Sequence, residues 1–304
     1  MNDYVAMASG VVCAGVGGEL FVRGAVGVAS WARVSPGIIG ATVVAFATSS
    51  PEMAVSISSA LAGTPQIALG DVLGSNVVNI ALILALGLLV SGIHNPRDAM
   101  KRDYAIALLV PMVTGVLLLD GMLSRFDSCL LLGMFFVWFA TTIIEARKQR
   151  SAAPEVLAEH GGWRAIIFFV VGLALLVTAG RLIVVGAKGI AIDFGIDEFV
   201  VGATIVAVGT SAPELATTII ARLRNHDELS LGTILGSNIF NSLLIVPVAA
   251  IIFPIAIDWG EVVVALGFGL LAMIIILPTR REFIGRGHGL LLLVIYGVYL
   301  AAIF

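Results

Sequence analysis

Two glutamates, Glu52 and Glu214, are the residues best placed for chemistry, because each sits in a long apolar run behind the same short motif. Glu52 ends Gly40-Ala-Thr-Val-Val-Ala-Phe-Ala-Thr-Ser-Ser-Pro-Glu52, which is followed by Gly74-Ser-Asn-Val-Val-Asn79. Glu214 ends Gly202-Ala-Thr-Ile-Val-Ala-Val-Gly-Thr-Ser-Ala-Pro-Glu214, which is followed by Gly236-Ser-Asn-Ile-Phe-Asn241. The copies are related by a constant offset of 162 residues without a gap, and roughly half their positions are identical. An internal repeat sets the architecture before local detail does. An ionisable group inside an apolar span is costly and marks function by default, and here the group recurs behind the same Thr-Ser-x-Pro.

The chemistry follows from the atoms. Pro51 and Pro213 lack an N–H and crowd the carbonyl four residues back, which is expected to open the turns around Ala45 and Thr48, and around Ala207, Gly209 and Thr210. Ser49 and Ser211 are expected to cap the helices that restart at the prolines. Ser75 and Asn79, like Ser237 and Asn241, lie one helical turn apart and share a face. The inventory is two carboxylates, several hydroxyls, two amides and loose carbonyls, all oxygen donors. Such donors suit a hard cation such as Ca²⁺, which takes six to eight oxygens in flexible geometry. Without imidazole or thiolate among them, Zn²⁺, Cu and Fe are disfavoured, and Mg²⁺ fits less well because it keeps several waters. Two carboxylates neutralise one divalent ion, or hold Na⁺ among neutral oxygens.

The elements that must position these groups are membrane helices. Of 304 residues, 59% are hydrophobic and only 12% charged, against about a quarter charged in soluble domains. At about 20 residues per span, the apolar runs predict ten spans at 4–30, 36–62, 68–91, 103–119, 124–146, 163–192, 198–222, 229–253, 260–277 and 287–304. No signal peptide is read at the N-terminus. Cys13 and Cys129 sit in apolar runs and read as small buried or lipid-facing residues.

The offset extends upstream, pairing Leu20–Ala29 with Leu182–Ala191. The expected organisation is therefore a first five-helix half over 1–146, a cytoplasmic linker over 147–162 and a second half over 163–304. Because five is odd, the second half enters the membrane inverted, and inverted repeats place a site at the midplane where broken helices meet. Breaks are expected at Thr-Ser-x-Pro-Glu in spans two and seven, and at Gly-Ser-Asn in spans three and eight. Lys and Arg fall on alternate connections, at Arg33, Arg97–Arg102, Arg147–Arg164, Arg222–Arg224 and Arg280–Arg286. With those loops inside, both termini lie outside; Arg125 and Lys188 are exceptions.

At the paired motifs the chain resembles the calcium/cation antiporter superfamily, and within it the prokaryotic sodium/calcium exchangers with two α-repeats. The resemblance covers both halves. It implies an all-α membrane protein of ten helices, exchange of several Na⁺ for one Ca²⁺ by alternating access, and sliding of spans one and six over the rest. It also implies that Glu52 and Glu214 bind Ca²⁺ with the Thr48 and Thr210 carbonyls. Ser49, Ser75, Ser211, Ser237 and the Ala45 and Ala207 carbonyls would form flanking Na⁺ sites, with Asn79 and Asn241 at the centre. The chain departs from the family at Ala47, where many relatives have Gly. It also has Asn241 where potassium-dependent relatives have Asp, which argues against K⁺ co-transport. The expected cargo is Ca²⁺ and Na⁺, with no cofactor and no nucleic-acid partner, in a monomer of the inner (cell) membrane.

Ca²⁺/H⁺ exchange through the same acids remains open, although the Gly-Asn-Ala-x-Glu pattern of proton-coupled relatives is missing. A cation channel would use the same oxygens without a counter-ion. An intramembrane enzyme is not expected, because no His-Glu-x-x-His or Gly-x-Gly-Asp motif occurs. Asp71 reads as an interfacial charge or as an attractor of cations at the outer mouth. Glu19 and Arg181 align across the repeat and either pair or snorkel. His94, His160, His226 and His288 read as solvated loop residues. The glycines at 15, 17, 18, 180, 186 and 189 read as close-packing or sliding surfaces.

Overall fold

The structure, a computed structural model, describes residues 3–61, 63, 65–94, 99–152, 162–193, 207–257, 259–277 and 283–303. The start of span seven, the linker from 153 to 161, and Arg97, His160, Asp197, Glu198, Asp258, Arg280 and Arg281 lie outside these residues, as do the side chains of His94 and Arg181.

The described chain is largely helical, as its apolar runs require when backbone groups must be satisfied within lipid. The first half begins with α1 (Asp3–Ala32), α2 (Pro36–Thr48) and α3 (Ser50–Leu61). It continues through α4 (Gln66–Val77), α5 (Ala85–Val90), α6 (Ala99–Leu117) and α7 (Arg125–Ala152). After α8 (Gly162–Asp193) come α9 (Ala207–Thr210), α10 (Ala212–Leu223), α11 (Asp227–Phe240) and α12 (Val246–Ile252). The last two are α13 (Trp259–Ile275) and α14 (Arg286–Ile303). Among the described residues six helical runs are long and apolar enough to cross a bilayer, and the bent pair α2–α3 makes a seventh. The α7 helix runs six residues into the stretch expected to be linker.

Two runs form the centre. In an apolar 18-residue stretch of each, 78% of Ala68–Val90 and 83% of Asp227–Ile252 is buried, whereas the other four runs range from 17% to 33%. Glycine lets these central helices meet their neighbours backbone to backbone. A Cβ on Gly232 would lie 2.5 Å from the Gly37 carbonyl, and one on Gly236 would collide with the backbone of Ala41. So α11 rests directly on α2.

The α1 and α8 helices pack along each other through another glycine seam. A Cβ on Gly24 would strike the backbone of Phe169, one on Gly27 would meet Ala165, and one on Gly172 would strike Phe21. Of the glycines singled out in the sequence, Gly17 joins this seam against Leu175, while Gly18 faces Ile220 of α10. Phe21, Val22, Ala25 and Leu176 belong to an apolar cluster separate from the main one, which is built on α4, α5, α11 and α12.

One local expectation is corrected. Gly-Ser-Asn does not break spans three and eight. Each stays helical through the motif and widens into a π-helix one step later, at Val78–Leu84 and Asn241–Ile245. Neither motif contains a proline to stop the helix; in span eight Pro247 has no N–H to give the preceding turn, consistent with a π-bulge just before it. Short strands also appear in the loops, with Ile93–His94 pairing with Phe283–Ile284 and Met122–Leu123 with Ile255–Ala256.

Arg222, expected to be a loop charge, is buried. It pairs with Asp227 and donates to the Ser91 carbonyl at 2.5 Å, the Ser91 hydroxyl at 2.6 Å and the Gly92 carbonyl at 2.5 Å. It therefore staples the end of α10 to the end of α5. Arg125, an exception to the charge pattern, donates to the Ile251 carbonyl at 2.9 Å at the end of α12, where a cation is favoured by the helix dipole. Glu19 pairs with Arg23 and Arg224.

Candidate functional site

The chain kinks by 43° between α2 and α3, at Ser49. There φ −81° and ψ 10° depart from helical values, because Pro51 cannot supply the next backbone donor. Ser211 has nearly the same backbone geometry, at φ −83° and ψ 8°, between α9 and α10. The kinks place Glu52 and Glu214 in the first turns of α3 and α10. Both carboxylates are 1% exposed.

The two motifs interlock. Ser49 Oγ donates to Glu214 Oε1 at 3.1 Å, and Ser211 Oγ donates to Glu52 Oε1 at 3.3 Å. Each serine thus serves the acid of the opposite copy. The expected capping role is corrected for Ser211, whose side chain makes no cap bond; both hydroxyls reach across to a buried carboxylate, whose need for a donor exceeds that of a helix end. Ser237 Oγ also donates to Glu214 Oε1, at 3.3 Å. The crossed bonds draw both acids into one buried cluster, where two anions would require a compensating positive charge.

Amides form a second set of bonds between the copies. Asn79 Nδ2 donates to Asn238 Oδ1 at 3.0 Å, and Asn241 Nδ2 donates to Asn76 Oδ1 at 3.2 Å. By the 162-residue offset these two bonds are mates of each other. Asn76 and Asn238, the third letters of Gly-Ser-Asn, were not picked out from the sequence. Their presence in both copies, at the same place in the motif as the chosen serines, was the available signal.

Among the described residues, five buried oxygens of the two motifs have no protein partner: Glu52 Oε2, Glu214 Oε2, Ser75 Oγ, Asn79 Oδ1 and Asn241 Oδ1. Buried acceptors are nearly always satisfied, and this set of hard oxygens fits a hard cation. Thr48 and Thr210 are also buried here. Their hydroxyls turn back along the helix, Thr48 to the Val44 carbonyl at 3.1 Å and Thr210 to the Ala207 carbonyl at 3.0 Å. The Ala45 and Ala207 carbonyls, expected to be loose, each accept a backbone N–H, from Ser49 at 2.9 Å and Ser211 at 3.1 Å. A carbonyl has a second lone pair, so this leaves one direction free. The structure therefore gathers Thr48, Ser49, Glu52, Asn79, Thr210, Ser211, Glu214, Ser237 and Asn241 through direct bonds or adjacency, with Ser75 one turn from Asn79. Asp71 is partly buried, and its Oδ2 has no protein partner.

Comparison with known proteins identifies the family. The model of the family described as sodium/calcium exchanger protein matches residues 3–144 and 164–304. The putative antiporter CaxA of Alkalimonas amylolytica is 37% identical over 91% of this chain and 91% of its own length. The inner membrane protein YrbG of Escherichia coli is 35% identical over 89% of this chain and 87% of its own. A solved structure of the sodium-calcium exchanger NCX_Mj, soaked with Na⁺ and Ca²⁺, superposes with a TM-score of 0.87 at 28% identity over 100% of both chains. Two buried acids tied across a repeat, on a fold shared along its whole length with an exchanger, lead to one conclusion: the chain belongs to the sodium/calcium exchanger family of the calcium/cation antiporter superfamily.

Proposed function

We propose that this membrane antiporter exchanges Na⁺ for Ca²⁺ across the cell membrane by alternating access, with no cofactor beyond the ions it carries. In this reading ten helices form two inverted halves, 1–146 and 163–304, with both termini outside and the 147–162 connection in the cytoplasm. Glu52 and Glu214 hold Ca²⁺ together with the Thr48 and Thr210 carbonyls, and Asn79 and Asn241 complete the centre. Na⁺ occupies flanking positions formed by Ser49, Ser75, Ser211, Ser237 and the second lone pairs of the Ala45 and Ala207 carbonyls. The chain acts as a monomer.

The observation that carries this reading is the reciprocal bridge, Ser49 to Glu214 and Ser211 to Glu52. It makes one site of two acids, and that site has two negative charges to balance. One Ca²⁺ meets that need, and so do Na⁺ ions that share the same oxygens, so occupancy by one species excludes the other. Such competition couples their movements. Binding energy is recovered only when the carboxylates are neutralised, which disfavours moving the site empty. The glycine seam between α1 and α8, set apart from the main core, supports sliding of that pair over the remaining helices.

The test is Ca²⁺ uptake by the purified chain in proteoliposomes, with Na⁺, K⁺ and H⁺ gradients imposed separately. An outward Na⁺ gradient at fixed pH is expected to drive uptake, and K⁺ to have no effect. Uptake driven only by H⁺ would replace this reading with proton exchange, and uptake with no counter-ion gradient would indicate a channel.

A further inference from the structure

We infer that Asn76 and Asn238 are positioning residues that lock the amides of Asn79 and Asn241 with their oxygens facing the cations. The inference rests on the reading of those two amides as cation ligands.

A carboxamide has a donor end and an acceptor end on one rigid plane. Fixing the NH₂ fixes where the oxygen points. Asn79 and Asn241 each give Nδ2 to the side-chain oxygen of an asparagine from the other copy, at 3.0 Å and 3.2 Å. Their Oδ1 atoms are both buried and unpartnered. Turning either amide over would aim an N–H dipole at a cation and leave two oxygens face to face. Both faults penalise the flipped state.

The locking residues are themselves locked. Asn76 Nδ2 donates to Ser242 Oγ at 2.7 Å, and Asn238 Nδ2 donates to the Asn76 backbone carbonyl at 3.2 Å. The two anchors differ because Ser242 has Ile80 as its repeat mate, so Asn238 has no hydroxyl to use. Both ends of the Asn76 and Asn238 amides are therefore engaged by protein, which holds each oxygen toward the amide it accepts from. A cavity of about 20 Å³ lined by Asn76, Thr114, Asn238 and Ser242 lies against them. That is room for one water, so truncation to alanine would let a water stand in. A bulky apolar replacement avoids this.

The test is calorimetric Ca²⁺ binding to the detergent-solubilised full chain, with KM and Vmax for Na⁺-driven uptake measured in proteoliposomes. Asn238→Leu is expected to weaken Ca²⁺ binding by about 10- to 100-fold, the usual range for an outer residue that orients a ligand. KM should rise by a similar factor, with Vmax less affected. Asn238→Asp retains an oxygen to accept from Asn79 and should recover most of the lost affinity, which also covers the case in which the leucine variant fails to fold. In an Asn79→Ala background, Asn238→Leu should add almost nothing, because no amide is left to orient. Equal losses in the wild-type and Asn79→Ala backgrounds would overturn the inference. So would an aspartate variant as weak as the leucine. If Asn79→Ala binds Ca²⁺ normally while Glu52→Gln does not, the amide is no ligand; the inference then falls, but the two-acid site stands.

Discussion

The two copies of the motif share a backbone but not the same support for their acids. Among the described residues, Glu214 receives two hydroxyls, from Ser49 and Ser237, whereas Glu52 receives one, from Ser211. Ser75, the mate of Ser237, leaves its hydroxyl unpartnered. On the first copy Asp71 stands where the second has Thr233, whose hydroxyl turns back to the Leu229 carbonyl at 2.8 Å. The second acid is thus held by protein, and the first is left more dependent on whatever binds. Duplication supplied the cage, and small departures from symmetry made its sides unequal. In the proposed reading, where ions of two charges share one set of oxygens, that inequality has a use.

The largest expected effects come from the acids themselves. Glu52→Gln and Glu214→Gln should each reduce Ca²⁺ uptake to background, since one carboxylate cannot neutralise a divalent ion in a buried site. Next comes Gly24→Ala in the α1–α8 seam. Its Cβ would strike the Phe169 backbone, and overpacking of this kind costs about 1–3 kcal/mol. A lower thermal midpoint with reduced Vmax, while Ca²⁺ affinity is kept, is the expected pattern.

The asymmetry itself is tested by a pair of serine variants. Ser237→Ala removes a bond to a buried carboxylate, worth about 1.5–3 kcal/mol, and should weaken Ca²⁺ binding about tenfold or more. Ser75→Ala removes no such bond and should mainly weaken the response to Na⁺. Equal effects on Ca²⁺ would remove the distinction drawn between the copies. Asp71→Asn should have a smaller effect, weakening Ca²⁺ uptake most at low ionic strength where charge is least screened. Acidification through the carboxylate range should weaken Ca²⁺ binding in the wild type, because each bound proton cancels a charge the ion needs. Affinity therefore rises with pH, and a flat profile would contradict the role given to the acids.

Much of this could be read from the chain because the motif is doubled. Glu52, Glu214 and the kinks at Pro51 and Pro213 followed from residue type and offset alone. What escaped depended on contacts between the copies. Ser49 and Ser211 occupy good capping positions, and only the approach of the other half reveals a stronger acceptor within reach. Asn76 and Asn238 look like ordinary helix residues until the opposing amides are seen. The π-helical turns after Gly-Ser-Asn follow no local rule for Val78–Leu84, where no proline intervenes. Arg222 sits among loop charges in sequence but fills a buried pocket of carbonyls near Ser91, 131 residues away. The glycines at 24, 27 and 172 belong to the α1–α8 seam because of how those helices cross, which the repeat offset does not encode.

The central claim is that Glu52 and Glu214 act as one site. Its most direct test is the stoichiometry of Ca²⁺ binding to the purified chain by calorimetry, in the wild type and in each glutamine variant. The account predicts a single ion per chain in the wild type and none in either variant. Two ions in the wild type, or one ion still bound tightly after either glutamate is replaced, would show that the acids work separately.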